Sequence, residues 1–165
     1  MKRRTIRPSR KEDLPLMQEL FEKAREIMRS EGNMHQWTGG YPSDEVLLRD
    51  MERNASFIME EDGTPIATFA YIEGIDPTYL RIDGGEWIDD ERPYATIHRL
   101  ASAKESHGVA RDCFDWAWSR TPNLRADTHR DNNIMQHCLE KSGFRYCGII
   151  YLANGDERLA YQKIQ

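Results

Sequence analysis

Residues 94–144 read YATIHRLASAKESHGVARDCFDWAWSRTPNLRADTHRDNNIMQHCLEKSGF. The pattern predicts a strand over 94–101, a glycine turn around SHGVA, a helix from about 108 to 120, a strand over 124–128 and a helix over about 131–142. Gly143 stops that last helix in the manner of a left-handed cap. A strand feeding a glycine turn that opens a helix presents backbone N–H groups, because the first amides of a helix have no partner within it. The stretch therefore points to an anionic cofactor.

On either side of this stretch the periods change. Residues 5–8 suit a short strand, with Ser9 as a helix cap after it. Leu14, Met17, Leu20, Phe21, Ala24, Ile27 and Met28 then recur at three- and four-residue spacing, the stripe of an amphipathic helix. GNMHQWTGGYP, residues 32–42, reads as a loop with two exposed aromatics, and Ser43 as the cap of a second helix. In SFIMEEDGTPIATFAYI, Asp62-Gly63 between apolar runs predicts a tight hairpin. Residues 76–92 read as loop-rich, with Tyr79 and Trp87 as candidate pocket walls, and the end of the chain as a hairpin around Asn154-Gly155 that offers a dimer surface. Trp116 shares the Val109 and Cys113 helix face and reads as core.

A chain of 165 residues supports one core, so a single domain over 1–165 is expected. No apolar run approaches the roughly 20 residues of a bilayer span, and no membrane association is expected. MKRRTIRPSR is basic but lacks the apolar segment of a secretory signal, so a cytoplasmic location is expected. The 3 cysteines, without CxxC spacing, fit free thiols in a reducing compartment. A net charge of -5 argues against a broad nucleic-acid surface.

Strand, two helices, antiparallel strands, then β-α-β-α-β-β is the order found in GNAT-type N-acetyltransferases, and the sequence resembles that superfamily over nearly its whole length. The acyl-CoA motif of these enzymes, Arg/Gln-x-x-Gly-x-Gly/Ala, is matched by Glu105-Ser106-His107-Gly108-Val109-Ala110, with Glu105 departing at the first position. Their later helix, approximately Asn-x-x-Ala-x-x-x-Tyr-Glu-Lys-x-Gly-Phe, is matched in register by Asn132, Met135, Glu140, Lys141, Gly143 and Phe144. Leu139 stands where many members carry the tyrosine that protonates the departing thiolate.

The resemblance implies an α/β fold: one mixed, mostly antiparallel sheet flanked by helices, with a splayed strand pair at the acyl-CoA site. It implies acetyl-CoA as acyl donor, bound by the backbone of Leu100, Ala101 and Ser102, with Leu100 N–H as the oxyanion donor. It also implies that Ser106, His107, Gly108, Val109, Ala110 and Arg111 hold the pyrophosphate. With Glu105 in the motif, Lys104, His107 or Arg111 would supply any compensating donor. Asn132 can cap its helix or present its amide to the pantetheine arm, and the resemblance adds the second role.

An amine attacking a thioester must be neutral, held in reach and faced by donors for the developing oxyanion. His98 and Glu73 are the base candidates and Tyr151 the candidate acid; each also has a plain structural reading, as a hydrogen-bonded sheet residue, a solvated strand end and a packed aromatic. The acceptor expected is a small-molecule or peptide amine, with Trp37, Tyr41, Tyr71 and Trp87 as candidate pocket aromatics. His107, His129, His137 and Cys138 lack a paired zinc spacing, so no metal is expected; neither a P-loop nor a Gly-x-Ser-x-Gly elbow is present. Glu105 and Leu139 keep a second reading open, a non-catalytic acyl-CoA-binding or interaction module on the same fold.

Overall fold

The computed structural model describes residues 2–103 and 108–165; the expectations for Lys104, Glu105, Ser106 and His107 fall outside the described residues. The elements run β1 (Arg4–Pro8), α1 (Leu14–Ser30), α2 (Asp44–Glu52), β2 (Ser56–Glu61), β3 (Thr64–Glu73), β4 (Ala95–Ser102), α3 (Val109–Arg120), β5 (Asn123–Thr128), α4 (Asn133–Lys141), β6 (Arg145–Tyr151) and β7 (Glu157–Ile164). The strands form a seven-stranded, mostly antiparallel sheet in the order β1-β2-β3-β4-β5-β7-β6, with β4 and β5 parallel. Helices flank the sheet, as the resemblance implied. The chain divides into two compact units, one of Met1–Tyr71 with His98–Val109 and one of Ile72–Ile97 with Ala110–Gln165.

In the first unit the α1 stripe buries Met17, Leu20, Phe21 and Ala24 against Leu47 of α2, Ile58 of β2 and Ala101 of β4. Each large side chain so buried contributes about 1.5–3 kcal/mol. The entry to α1 differs from the expected Ser9 cap. The Ser9 hydroxyl is taken by the hydroxyl of Ser56, in β2, and a short 3-10 turn, Lys11–Asp13, intervenes. The Asp13 carboxylate accepts from the Arg10 N–H at 2.7 Å, while Arg7 holds it from the other side at 2.8 Å and keeps its pKa below the ordinary carboxylate range. Ser43 does cap α2, accepting from Val46 N–H. The loop between α1 and α2 is gathered by Arg29, whose guanidinium donates to the carbonyls of Asn33 and Gln36 at 3.0 and 2.8 Å. Trp37 is therefore not an exposed loop aromatic; its ring meets Phe21 edge-on at 5.4 Å.

The Asp62-Gly63 hairpin is in place, pairing β2 with β3 antiparallel.

In the second unit β7 lies between β5 and β6, antiparallel to both. The α4 helix ends as the sequence predicts. Gly143, at φ 92, lets its own N–H reach Glu140 C=O and the Phe144 N–H reach Leu139 C=O, the two bonds of a Schellman cap. Phe144 then packs on Phe114 of α3 at 5.0 Å. On α3 the buried face is Val109, Cys113, Phe114 and Ala117; Trp116 is only half-buried, under the Arg120 guanidinium at 4.2 Å. Tyr79 and Trp87 are not pocket walls: with Tyr94 they are buried against Cys147, Ile150 and Ala160.

Side chains of β5 and β7 tie down the segment between β3 and β4. Gln162 Oε1 accepts from Ile88 N–H at 2.8 Å, its Nε2 donates to Asp89 C=O at 3.0 Å, and Asn123 Nδ2 donates to the carbonyls of Arg92 and Pro93. Nearby, Asp83 and Ile149 exchange both backbone hydrogen bonds, at 2.9 and 2.8 Å, which presses Gly85 onto β6. A Cβ at Gly85 would lie 2.0 Å from the Cys147 carbonyl oxygen. Gly85→Ala is therefore expected to cost about 1–3 kcal/mol, since backbone on both sides must shift. A urea midpoint equal to wild type would show that the loop yields freely. Among the described residues no helix is long and apolar enough to cross a membrane.

Candidate functional site

In the first unit the informative residue of β4 is Arg99, whose φ is 53. A side chain in left-handed backbone costs roughly 1–2 kcal/mol and persists only where its surroundings fix it. Asp50, a buried residue of α2, supplies the fixing contact. Arg99 Nε donates to Asp50 Oδ2 at 2.9 Å and Nη2 to Oδ1 at 2.7 Å, a two-pronged ion pair, and Nη1 donates to the Tyr41 hydroxyl at 3.0 Å. Burial alone would lower the Arg99 pKa, but Tyr41 and Asp50 outweigh it and leave it raised, so the guanidinium stays charged. Arg53 gives Asp50 a further donor at 2.9 Å.

Burial along the strand does not alternate residue by residue. Ala95, Thr96 and Ile97 are all buried, His98, Arg99 and Leu100 are half-buried in succession, then Ala101 is buried and Ser102 half-buried. Leu100, Ala101 and Ser102 thus follow directly on the clamped residue. Beyond them the Ala103 N–H donates to Ile66 C=O at 3.0 Å. Gly108, exposed and at φ 73, stands immediately before α3, and Val109 is buried.

The second unit holds the other predicted residues. The parallel ladder of β4 with β5 consists of Ala95 beside Leu124 and Thr96 beside Arg125, at the start of β4, whereas β5 pairs with β7 along its whole length. Ala110 is half-buried, and Arg111 is exposed beside Asp112 at 3.8 Å. Asn132 caps α4, its Oδ1 accepting from Met135 N–H at 3.1 Å. Leu139 is fully buried. Glu73 is exposed at the end of β3. The Tyr151 hydroxyl donates to Asp83 Oδ2 at 2.8 Å, and this bond, more than burial, pushes its pKa up. Of the pocket aromatics, Tyr71 is buried with its ring 6.5 Å from Phe57, Trp37 and Trp87 are packed as described, and Tyr41 serves Arg99.

Three arrangements are not evident from the sequence. The Arg99, Asp50 and Tyr41 group had one signal: Asp50 follows Leu47 by three and so falls on the apolar stripe of its helix. In the second, Tyr79, fully buried, donates from its hydroxyl to Asp127 Oδ2 at 2.6 Å; burial first and Asp127 second raise the tyrosine pKa. In the third, Arg125 lies buried between the rings of Trp87 and Tyr94, each 3.9 Å away.

No protein-family model and no curated protein sequence matches the chain. Solved structures do. An acetyltransferase of the GNAT family from Streptococcus agalactiae is 32% identical, with a TM-score of 0.89 over 98% of this chain and 95% of that one. A GNAT-family acetyltransferase from Listeria monocytogenes is 16% identical, with a TM-score of 0.70 over 97% of this chain and 94% of that one. The ribosomal-protein-alanine N-acetyltransferase of Brucella melitensis is 19% identical, with a TM-score of 0.62 over 98% and 99%; these last two share the fold. With the strand order, the reversed residue in β4 and the glycine before α3, the first similarity establishes that this chain belongs to the GNAT family of acetyltransferases.

Proposed function

We propose that residues 1–165 form a single N-acetyltransferase domain that moves the acetyl group of acetyl-CoA directly onto a primary amine of a small molecule or peptide. The observation that carries this reading is β4, where the left-handed Arg99 immediately precedes Leu100, Ala101 and Ser102. A strand that leaves its regular pleat can turn backbone N–H and C=O groups from ladder bonds toward a ligand.

In this reading Leu100 N–H faces the thioester carbonyl, and the backbone of Ala101 and Ser102 serves the pantetheine amides. Ser106, His107, Gly108, Val109, Ala110 and Arg111 receive the pyrophosphate, where the positive dipole end of α3 favours an anion. Asn132 contributes its side-chain amide while its oxygen caps α4. The amine lone pair forms the new C–N bond, the C–S bond breaks, and CoA leaves as a thiolate. The amine proton goes to a base, for which His98, half-buried beside Arg99, stands ahead of the exposed Glu73. Tyr151 can return a proton to the thiolate only after its bond to Asp83 is given up. The free thiols suit a cytoplasmic setting.

Release of free CoA from acetyl-CoA across a panel of amino acids, polyamines and peptides tests the reading, with turnover expected for at least one amine. Binding of acetyl-CoA with no turnover on any amine would leave a binding module, and absence of binding would overturn both. Gly108→Ile is expected to weaken acetyl-CoA binding about tenfold or more, because φ 73 strains a β-branched residue and its side chain would crowd the phosphate approach. Unchanged affinity by calorimetry would remove the turn from the site.

A further inference from the structure

We propose that Arg99 is a positioning residue of the transfer reaction: clamped by Asp50 and Tyr41, it fixes the left-handed turn of β4 and so sets the direction of the Leu100, Ala101 and Ser102 backbone. The inference rests on the reading that this backbone receives acetyl-CoA. Its ground is a mismatch between residue and conformation. Glycine adopts φ 53 without cost, yet the position holds one of the longest side chains, held at three nitrogens.

Each contact comes from outside the strand. Asp50 is on α2, three residues after Leu47, which anchors that helix in the core, and Tyr41 closes the loop before α2. A buried carboxylate engaged on both oxygens fixes the guanidinium plane, and the side chain tethered there limits how far the Arg99 backbone can move. Ala101 is in the same apolar cluster as Leu47, so the strand is held on both sides of Leu100. The arrangement keeps the donors from reorganising as charge develops on the acyl oxygen, which is where a preorganised site lowers a barrier.

Two variants separate holding from merely permitting the turn. Arg99→Gly allows the left-handed backbone but removes the clamp; Arg99→Lys keeps a cation opposite Asp50 but loses the two-pronged fit. Acetyl-CoA affinity is measured by calorimetry, and the backbone amide signals of Leu100, Ala101 and Ser102 are followed by NMR as acetyl-CoA is added.

Wild type is expected to bind and to shift those signals. Arg99→Gly is expected to bind about tenfold or more weakly, with the three amides broadened, and Arg99→Lys to fall between. A wild type that does not bind acetyl-CoA overturns the underlying reading. A wild type that binds, beside a folded Arg99→Gly with equal affinity and unaltered amide signals, overturns the positioning role alone. Should Arg99→Gly not fold, Arg99→Lys decides: native affinity with native Leu100, Ala101 and Ser102 signals overturns the proposal.

Discussion

Arg125→Ala is expected to cost about 3–5 kcal/mol of unfolding free energy, seen as a large drop in urea midpoint at unchanged slope. The side chain is 1% exposed. Its guanidinium fills the space between Trp87 and Tyr94, and a cation-ring contact contributes from about 0.5 kcal/mol when exposed to about 2 kcal/mol when desolvated. Nη2 also donates to the Asp89 carbonyl and to Asp90 Oδ1, both at 3.0 Å. Alanine would leave a cavity bounded by two large rings and take one of two donors from the Asp89 carbonyl, which keeps Gln162 Nε2.

The volume of the side chain is expected to contribute alongside its charge. Among the described residues Nε is buried without a hydrogen-bond partner, and Asp90 is largely in solvent. Arg125→Met is accordingly expected to recover at least half of the alanine loss, because an apolar chain of similar length fills the slot without a desolvated donor. Equal losses for the two variants would show that the cation, not the filling, holds the rings.

Asp50→Ala is expected to lose a comparable amount, about 3–5 kcal/mol, for the opposite reason. Here the charge is fully matched. Asp50 accepts from Arg99 on both oxygens and from Arg53 on one, with its side chain 1% exposed and that of Arg99 11% exposed. Truncation leaves a desolvated guanidinium facing the Tyr41 hydroxyl alone. Asp50→Asn keeps one oxygen and should retain part of the stability. A double-mutant cycle with Arg99→Met measures the pair, and a coupling below about 0.5 kcal/mol would show that the two groups act independently.

The elements were legible wherever period and local chemistry agreed. The α1 stripe, the Ser43 cap, the Asp62-Gly63 turn and the Gly143 stop each depend on residues within a few positions of one another. The misreadings depend on distant partners. Ser9 is a good cap by type, but its hydroxyl meets Ser56, whose position no local pattern announces. Tyr79 and Trp87 sit in a segment with loop composition, yet β6 and β7 cover them. Arg99 carries nothing in its own neighbourhood that signals a left-handed residue, because the charge that fixes it comes from α2. The Asn132 cap was readable from spacing, whereas the acyl-CoA assignment of the β4 backbone came from the family resemblance and not from the residues alone.

The cysteines divide the molecule unevenly. Cys113, Cys138 and Cys147 all belong to the second unit, while the 3 cysteines of the chain leave the first with none. Burial raises the pKa of each thiol, most strongly at the wholly enclosed Cys113, and only the thiolate is nucleophilic. Alkylation of the native protein therefore starts at the half-exposed Cys138, and Cys113 waits for a local opening. The chain carries its own breathing clock for the second unit, to which motion confined to the first is silent.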